Sequence, residues 1–274
     1  MEFRKPGPVY SALVGLTARR RLPVPLRSAA YRAFARAVGA DLKEAELDLR
    51  AYSSLGDLFA RRLRPGARQI DPAHDAIISP CDGAVAARGT TLDGELIQAK
   101  GKSYQLDQLV VDGELADRLR GGDYATIYLS PRDYHRVHTP IDGRLVRYDF
   151  IPGSLWPVNP LVASRRDHLL VRNERVVIVL DAGRYGYVAV VMVGAAGVGN
   201  IKLEYAPESA TWRTKGERRR IELDVELARG DELGAFLLGS TVVVVFEPGK
   251  IRLDEGIGSV VRFGERIGTI GGLS

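Results

Sequence analysis

From Ile70 onward the chain is a succession of short runs rich in valine, isoleucine and tyrosine, each closed by Gly, Asp or Pro, and this texture restricts the fold more than any other feature. The runs read "GAVAARG", "YATIYLS", "GRLVRYDFI", "RVVIVLD", "YVAVVMVGA", "NIKLEYA", "RRRIELDVEL", "STVVVVF" and "VVRFGERIGTI". β-branched and aromatic side chains suit a pleated, covered surface, and the turn residues recur too often to leave room for long helices. The pattern predicts an α+β protein that is mostly β, with an antiparallel or mixed sheet core, sandwich or barrel-like, behind an N-terminal helical, membrane-facing portion. No heptad, fixed-period repeat or low-complexity tract interrupts it.

The N-terminal portion differs in charge as well as in pattern. Residues 1 to 40 carry eight basic side chains against the single acid Glu2, whereas the whole chain has a net charge of only +5. The excess is therefore a basic docking segment, and a general nucleic-acid binder is not expected. Within "LRSAAYRAFARAVG", residues Leu26, Ala29, Ala30, Ala33, Phe34, Ala37 and Val38 share one helical face, with Arg27, Arg32 and Arg36 at or beyond its edges. Such a helix either packs on the domain or lies in a membrane interface with its arginines toward anionic head groups. A second helix is expected over Leu55 to Leu63, capped by Ser54 and Asp57 and stopped by Pro65 and Gly66. The run Val9 to Leu16 precedes its basic cluster, which is the wrong polarity for a secretory signal, and no run reaches the ~20 apolar residues of a membrane-spanning helix. The division expected is 1–66, basic and helical, followed by 67–274, β-rich.

Three stations carry chemistry: Asp82 in "SPCDGAV", His135 and His138 in "SPRDYHRVHTP", and Ser240 in "LLGSTV". All sit in turns or at strand ends, where side chains from distant parts of a chain converge on one site. His-x-x-His is also a metal-ligand spacing, with Asp82, His74 or His168 as the third ligand, but in an extended strand the two rings would point to opposite faces. A thiol enzyme built on the lone Cys81 lacks a neighbouring base to lower the thiol pKa. The glycine-rich "GAAGVGN" has no phosphate-loop lysine and leads into no helical pattern, so it reads as a bulge or close backbone approach.

From about Leu55 to Ile270 the chain resembles the phosphatidylserine decarboxylase proenzymes. The resemblance is carried, in order, by "LFARRLRPGARQI", "SPCDGAV", "IQAKGKSYQLDQLV", "YLSPRDYHRVHTPIDG", "PGSLWPVNP", "RNERVVIVLD", "VMVGAAGVGNI", "LGSTVVVVFEPGK" and "GERIGTI". The family's self-processing tetrapeptide is present as Leu238, Gly239, Ser240 and Thr241.

The resemblance implies autocatalytic serinolysis at Gly239–Ser240, giving a large chain 1–239 and a small chain 240–274 that remain together as a heterodimer. It implies that Ser240 becomes a pyruvoyl group, which replaces pyridoxal phosphate as electron sink, with no metal, and that phosphatidylserine is decarboxylated through a Schiff base to phosphatidylethanolamine and carbon dioxide. It implies that Asp82 orients His138, that His138 takes the Ser240 proton, and that His135 protonates the carbanion left by decarboxylation. Trp156 and Asn159 are candidates for the head-group or acyl entrance. The implied location is peripheral, on the cytoplasmic face of the cell membrane, with an anionic surface as partner and homo-oligomers left open. Two alternatives stay beside this reading: a decarboxylase of a related phosphoserine lipid, and a non-catalytic membrane-binding β-domain in which Ser240 is a structural turn.

Overall fold

A computed structural model of the chain describes residues 20–99, 102–195, 201–209, 212, 216–237 and 240–271. Val9 to Leu16, most of "GAAGVGN", and Leu238 and Gly239 of the tetrapeptide lie outside the described residues. The core is an open eight-stranded sheet, antiparallel throughout and not a closed barrel. Its strands are β2 (Gly83–Thr90), β5 (Asp123–Leu129), β7 (Gly143–Ile151), β8 (Arg175–Asp181), β9 (Tyr187–Val193), β11 (Arg219–Leu227), β13 (Ser240–Phe246) and β15 (Val260–Val261), in the order β11-β7-β8-β9-β13-β5-β2-β15. Each corresponds to one of the runs expected from the sequence, the last run being split by a turn between β15 and β16 (Arg266–Ile270).

β13 explains why its sequence does not alternate polar with apolar residues. Val242, Val244 and Phe246 enter one hydrophobic cluster, whereas Val243 and Val245 enter another on the opposite face. A strand covered on both faces needs apolar side chains at every position. The first face is roofed by two three-stranded sheets: β1 (Ala76–Ile78), β16 and β14 (Ile251–Leu253), and β10 (Ile201–Leu203), β12 (Glu232–Phe236) and β6 (Arg136–His138). The second is covered by the hairpin β3 (Glu95–Ala99) and β4 (Lys102–Gln105) and by short helices: α3 (Leu106–Val110), α4 (Gly113–Leu119), α5 (Pro160–Ala163) and α6 (Leu169–Arg172). The Asp112 carboxylate fastens α4 to the sheet, capping the Leu115 N–H at 2.9 Å while accepting from Arg147 at 2.8 Å and Arg220 at 2.6 Å. The edge strand β11 alternates exposed charges with half-buried apolar residues, a pattern that discourages pairing with a second sheet.

The N-terminal portion forms its own small cluster of Tyr31, Ala45, Tyr52 and Leu58, built on α1 (Val24–Val38) and α2 (Leu55–Phe59). α1 does not pack the face expected from its alanines. Tyr31 and Ala35 are buried, Phe34 lies 5.6 Å from Phe59, and Leu26, Ala29, Ala30, Ala33 and Ala37 remain exposed. Aromatic rings bury far more surface than alanine methyls, and the Tyr31 hydroxyl finds the Tyr52 carbonyl at 3.0 Å, so the helix rolls onto its aromatic side. No helix among the described residues is long and apolar enough to cross a membrane.

α2 is also shorter than expected. Ser54 caps it as predicted, accepting from the Asp57 N–H at 3.1 Å, but the helix ends at Phe59. Beyond it the backbone turns to residues 44–46 instead, with Glu46 N–H to Arg62 O and Arg64 N–H to Glu44 O, both 2.9 Å.

Gly83 lets β2 enter the sheet directly after Asp82. A Cβ there would lie 2.6 Å from the Tyr128 carbonyl oxygen and 2.7 Å from Ile127 Cγ2. Gly83→Ala is expected to push β2 off β5 and to destabilise the fold by about 1–3 kcal/mol, read as a lower urea midpoint at unchanged slope.

Candidate active site

The antiparallel order brings the three chemical stations to one end of the large sheet. Ser240 opens β13 opposite Leu129, the last residue of β5, and Thr241 pairs with Val193, the last residue of β9. Ala84, near the start of β2, pairs with Tyr128 near the end of β5, which places Asp82 at the same end. The loop after β5 carries His135, and β6 carries His138. The His138 N–H donates to the Pro80 carbonyl at 2.8 Å, which ties β6 to the Asp82 turn.

Ser240 is fully buried, and its Oγ has no hydrogen-bond partner among the described residues. A structural serine in a turn would satisfy its hydroxyl locally, because an unpaired buried polar group is costly. His135, also fully buried, shows the complementary defect. Its Nε2 lies 3.0 Å from the Ser130 carbonyl, and its Nδ1 has no partner among the described residues. A carbonyl only accepts, so Nε2 carries the proton and Nδ1 presents an unengaged lone pair. The link through Ser130, one residue beyond the register partner of Ser240, and the bond from Phe236 N–H to the His135 carbonyl at 2.9 Å keep this histidine beside the start of β13.

His138 is boxed in. Its Nδ1 donates to the Gly230 carbonyl at 2.8 Å, so the neutral ring turns its Nε2 lone pair to the Tyr134 hydroxyl at 3.0 Å. The Phe263 ring stacks on it with centroids 3.7 Å apart. Burial is the main reason that both histidines resist protonation: His135 is pushed down to about 3, with the charge of Arg61 adding to the effect, and His138 to about 4.

The expected hydrogen bond from Asp82 to His138 is not made. Asp82 Oδ1 accepts from Arg68 Nε at 3.1 Å and from the Phe263 N–H at 2.9 Å, and Oδ2 accepts from Arg68 Nη2 at 2.5 Å. A guanidinium fork matches both oxygens of a carboxylate, which a single imidazole N–H cannot rival. Asp82 reaches His138 indirectly, by fixing the backbone of the residue whose ring stacks on the imidazole. Arg68, Tyr134, Gly230 and Phe263 are the members that sequence reasoning passed over. Arg68 and Tyr134 lie inside the motif stretches quoted above, and that was their only signal.

Cys81 is fully buried and burial raises its thiol pKa well above the ordinary value, which leaves no thiolate nucleophile. Trp156 and Asn159 belong to a loop pinned at the same end of the sheet. The Asn173 side chain accepts from the Trp156 N–H at 3.1 Å and donates to the carbonyls of Trp156 and Gly194 at 2.8 and 2.9 Å. Asn159 Oδ1 accepts the Val162 N–H at 3.1 Å, and the Arg166 guanidinium lies 3.3 Å from the centre of the Trp156 ring. These bonds hold the loop in shape.

A buried serine at the head of a central strand and two buried neutral histidines at the same end of the sheet give the site the groups of an enzyme. Comparison with known proteins gives the family. The model for phosphatidylserine decarboxylase matches residues 55–269. The chain is 46% identical over 268 residues to the phosphatidylserine decarboxylase proenzyme of Anaeromyxobacter sp. (strain K), covering 96% of this chain and 94% of the relative. It is 41% identical to that of Myxococcus xanthus (strain DK1622), covering 97% and 95%, and 42% identical to that of Acinetobacter baylyi, covering 89% and 85%. The chain belongs to the phosphatidylserine decarboxylase family.

The neutral histidines have a consequence for stability. Each has an ordinary value of 6.5 and titrates lower when folded, so below pH 6.5 the unfolded chain binds more protons than the folded one. Their contribution is complete above that pH and is lost progressively as pH falls toward 4 for His138 and toward 3 for His135. In an uncleaved Ser240→Ala protein, stability from urea unfolding is expected to fall below pH 6.5 by up to about 1.4 kcal/mol per pH unit for each histidine, and His135→Asn is expected to reduce that slope.

Proposed function

We propose that the chain is a proenzyme that cuts itself between Gly239 and Ser240 and, as a pyruvoyl enzyme, converts phosphatidylserine to phosphatidylethanolamine and carbon dioxide. The observation that carries this reading is the Ser240 hydroxyl, fully buried at the head of the central strand and without a partner among the described residues. As a turn residue it would be a defect. As a nucleophile it is held ready beside bases kept neutral by burial.

In the cleavage, the Ser240 oxygen bonds to the Gly239 carbonyl carbon while the Gly239–Ser240 C–N bond breaks, which converts the peptide to an ester. Loss of the Ser240 α-proton then expels the Gly239 carboxylate, and water replaces the nitrogen of the resulting dehydroalanine, releasing ammonia. The pyruvoyl group so formed supplies a conjugated carbonyl that takes up the electron pair left when carbon dioxide departs. His138 accepts the Ser240 proton at Nε2 once Tyr134 releases that nitrogen, with Asp82 steadying the ring through Phe263. His135 serves the mature enzyme: its Nδ1 lone pair takes a proton from the substrate's ammonium and returns it to the carbon that carbon dioxide has left. The unengaged Nδ1 of His135 also favours a second reading, in which the two histidines exchange roles.

The exposed face of α1 and its exposed Arg32 and Arg36 suit a peripheral position on an anionic surface at the cytoplasmic face of the membrane. Residues 1–66 act there as the docking part and 67–274 as the catalytic part.

Denaturing electrophoresis is expected to show wild type as chains 1–239 and 240–274, and Ser240→Ala as a single full-length band. A single band for wild type would end the proposal. His138→Ala and Asp82→Asn are expected to accumulate precursor, whereas His135→Ala cleaves and fails to decarboxylate; the reverse result would favour the exchanged roles. Tyr134→Phe, which removes the hydroxyl competing for Nε2, is expected to cleave at least as fast as wild type, and slower cleavage would make Tyr134 a proton relay. Flotation with phosphatidylserine vesicles is expected to fail when residues 1–40 are removed, and equal flotation would remove the docking role.

A further inference from the structure

Arg61 lies just past α2, inside "LFARRLRPGARQI", and no step described above uses it as a binding group. It is 5% exposed, its Nε has no hydrogen-bond partner, and its one described side-chain bond runs from Nη1 to the Leu58 carbonyl at 3.5 Å, the outer limit for such a bond. The two carboxylates whose charge reaches it, Asp82 and Glu44, are both held by Arg68. No ion pair to Arg61 occurs among the described residues.

A guanidinium removed from water without a counter-charge is a standing cost to the fold, and removing such a charge often stabilises a protein. Its position says what brings the missing charge. Phe59, two residues earlier, lays its ring on His135 with centroids 4.7 Å apart, so the α2 end that carries Arg61 packs directly on the reacting group. The positive charge of Arg61 is felt at His135. A substrate reacting at Ser240 must bring its own anions into this buried space.

We propose that Arg61 receives the phosphodiester of the substrate's head group, an inference that rests on the function given above. Phosphatidylserine carries two anionic groups near its reacting carbon, and the chemistry separates them. The carboxylate loses its charge as carbon dioxide leaves, so a cation gripping it would stabilise the ground state more than the transition state and slow the reaction. The phosphodiester keeps its charge throughout and lies only three bonds from the reacting carbon. A planar guanidinium fork suits two phosphate oxygens.

Arg61→Met keeps the length and apolar character of the side chain and removes the charge. The variant is expected to cleave itself fully and to melt at or above the wild-type temperature. Its KM for phosphatidylserine in mixed micelles is expected to rise roughly ten- to a hundred-fold with kcat little changed, and Arg61→Lys to recover part of the loss. Glycerophosphoserine is expected to compete with the lipid in wild type and to stop competing in Arg61→Met, whereas competition by L-serine, which lacks the phosphate, is the same in both. An unchanged KM, or a lower melting temperature with undiminished competition by glycerophosphoserine, would overturn the proposal and make Arg61 a structural residue. Loss of competition by L-serine would overturn it in favour of the carboxylate. A wild-type protein that cleaves itself and leaves phosphatidylserine untouched would instead overturn the functional reading on which the inference rests.

Discussion

The structure depends on the double ladder that fixes β13 between β5 and β9. Its backbone is hydrogen-bonded along both edges, and its side chains are buried on both faces. A strand with no free edge and no solvated face has very little freedom, and Ser240 is its first residue. The position of the hydroxyl is thus set by the whole sheet, while the other candidate site residues come from elements docked around that sheet's end. His135 and His138 arrive on the loop after β5 and on β6, and Asp82 arrives on the turn into β2. Of these four residues Ser240 and His138 sit on strands, where side chains keep their geometry better than on free loops.

Burial then sets the chemistry. Keeping two imidazoles away from water holds them neutral, and a neutral imidazole can accept a proton where a charged one cannot. The same burial leaves Ser240 Oγ and His135 Nδ1 without partners among the described residues, which is a cost to the fold. Arg68 takes the opposite course. It locks Asp82 and Glu44 together and so attaches the N-terminal portion to the catalytic sheet. The neighbouring Arg61 is the exception to this pairing.

Much of the architecture was legible in the sequence because the eight strands of the large sheet are long or rich in β-branched residues. The strands that escaped notice, among them "KSYQ", "RVH" and "ELGAF", are short and mix small, polar and apolar side chains, and they form because the large sheet gives them a face to cover. Helices of four to seven residues such as α3, α4, α5 and α6 are too brief to show a 3.6-residue period. Which face of α1 packs on the domain was not legible, because alanine counts as apolar in a pattern while contributing little area in a contact; Tyr31 decided the packing. At the site, Asp82, His135, His138 and Ser240 could be picked out from their turns and from the family resemblance. Their hydrogen-bond partners could not. Phe263 meets Asp82 across 181 residues of chain and Gly230 meets His138 across 92, and no local pattern encodes such pairings.

The segment that follows Ser240 does not stop at the central strand. It goes on to supply β14 and β16 to a roofing sheet and β15 to the far edge of the large one, so it is woven through two layers of the molecule. Under the proposed cleavage, a fragment interlaced in this way could not be swapped for a fresh copy without unfolding the protein. If Ser240 is converted to a pyruvoyl group as proposed, chemical damage to it, such as conversion of the ketone to an amine by a misdirected turnover, would be permanent, and a cell could restore the lost capacity only by making new protein.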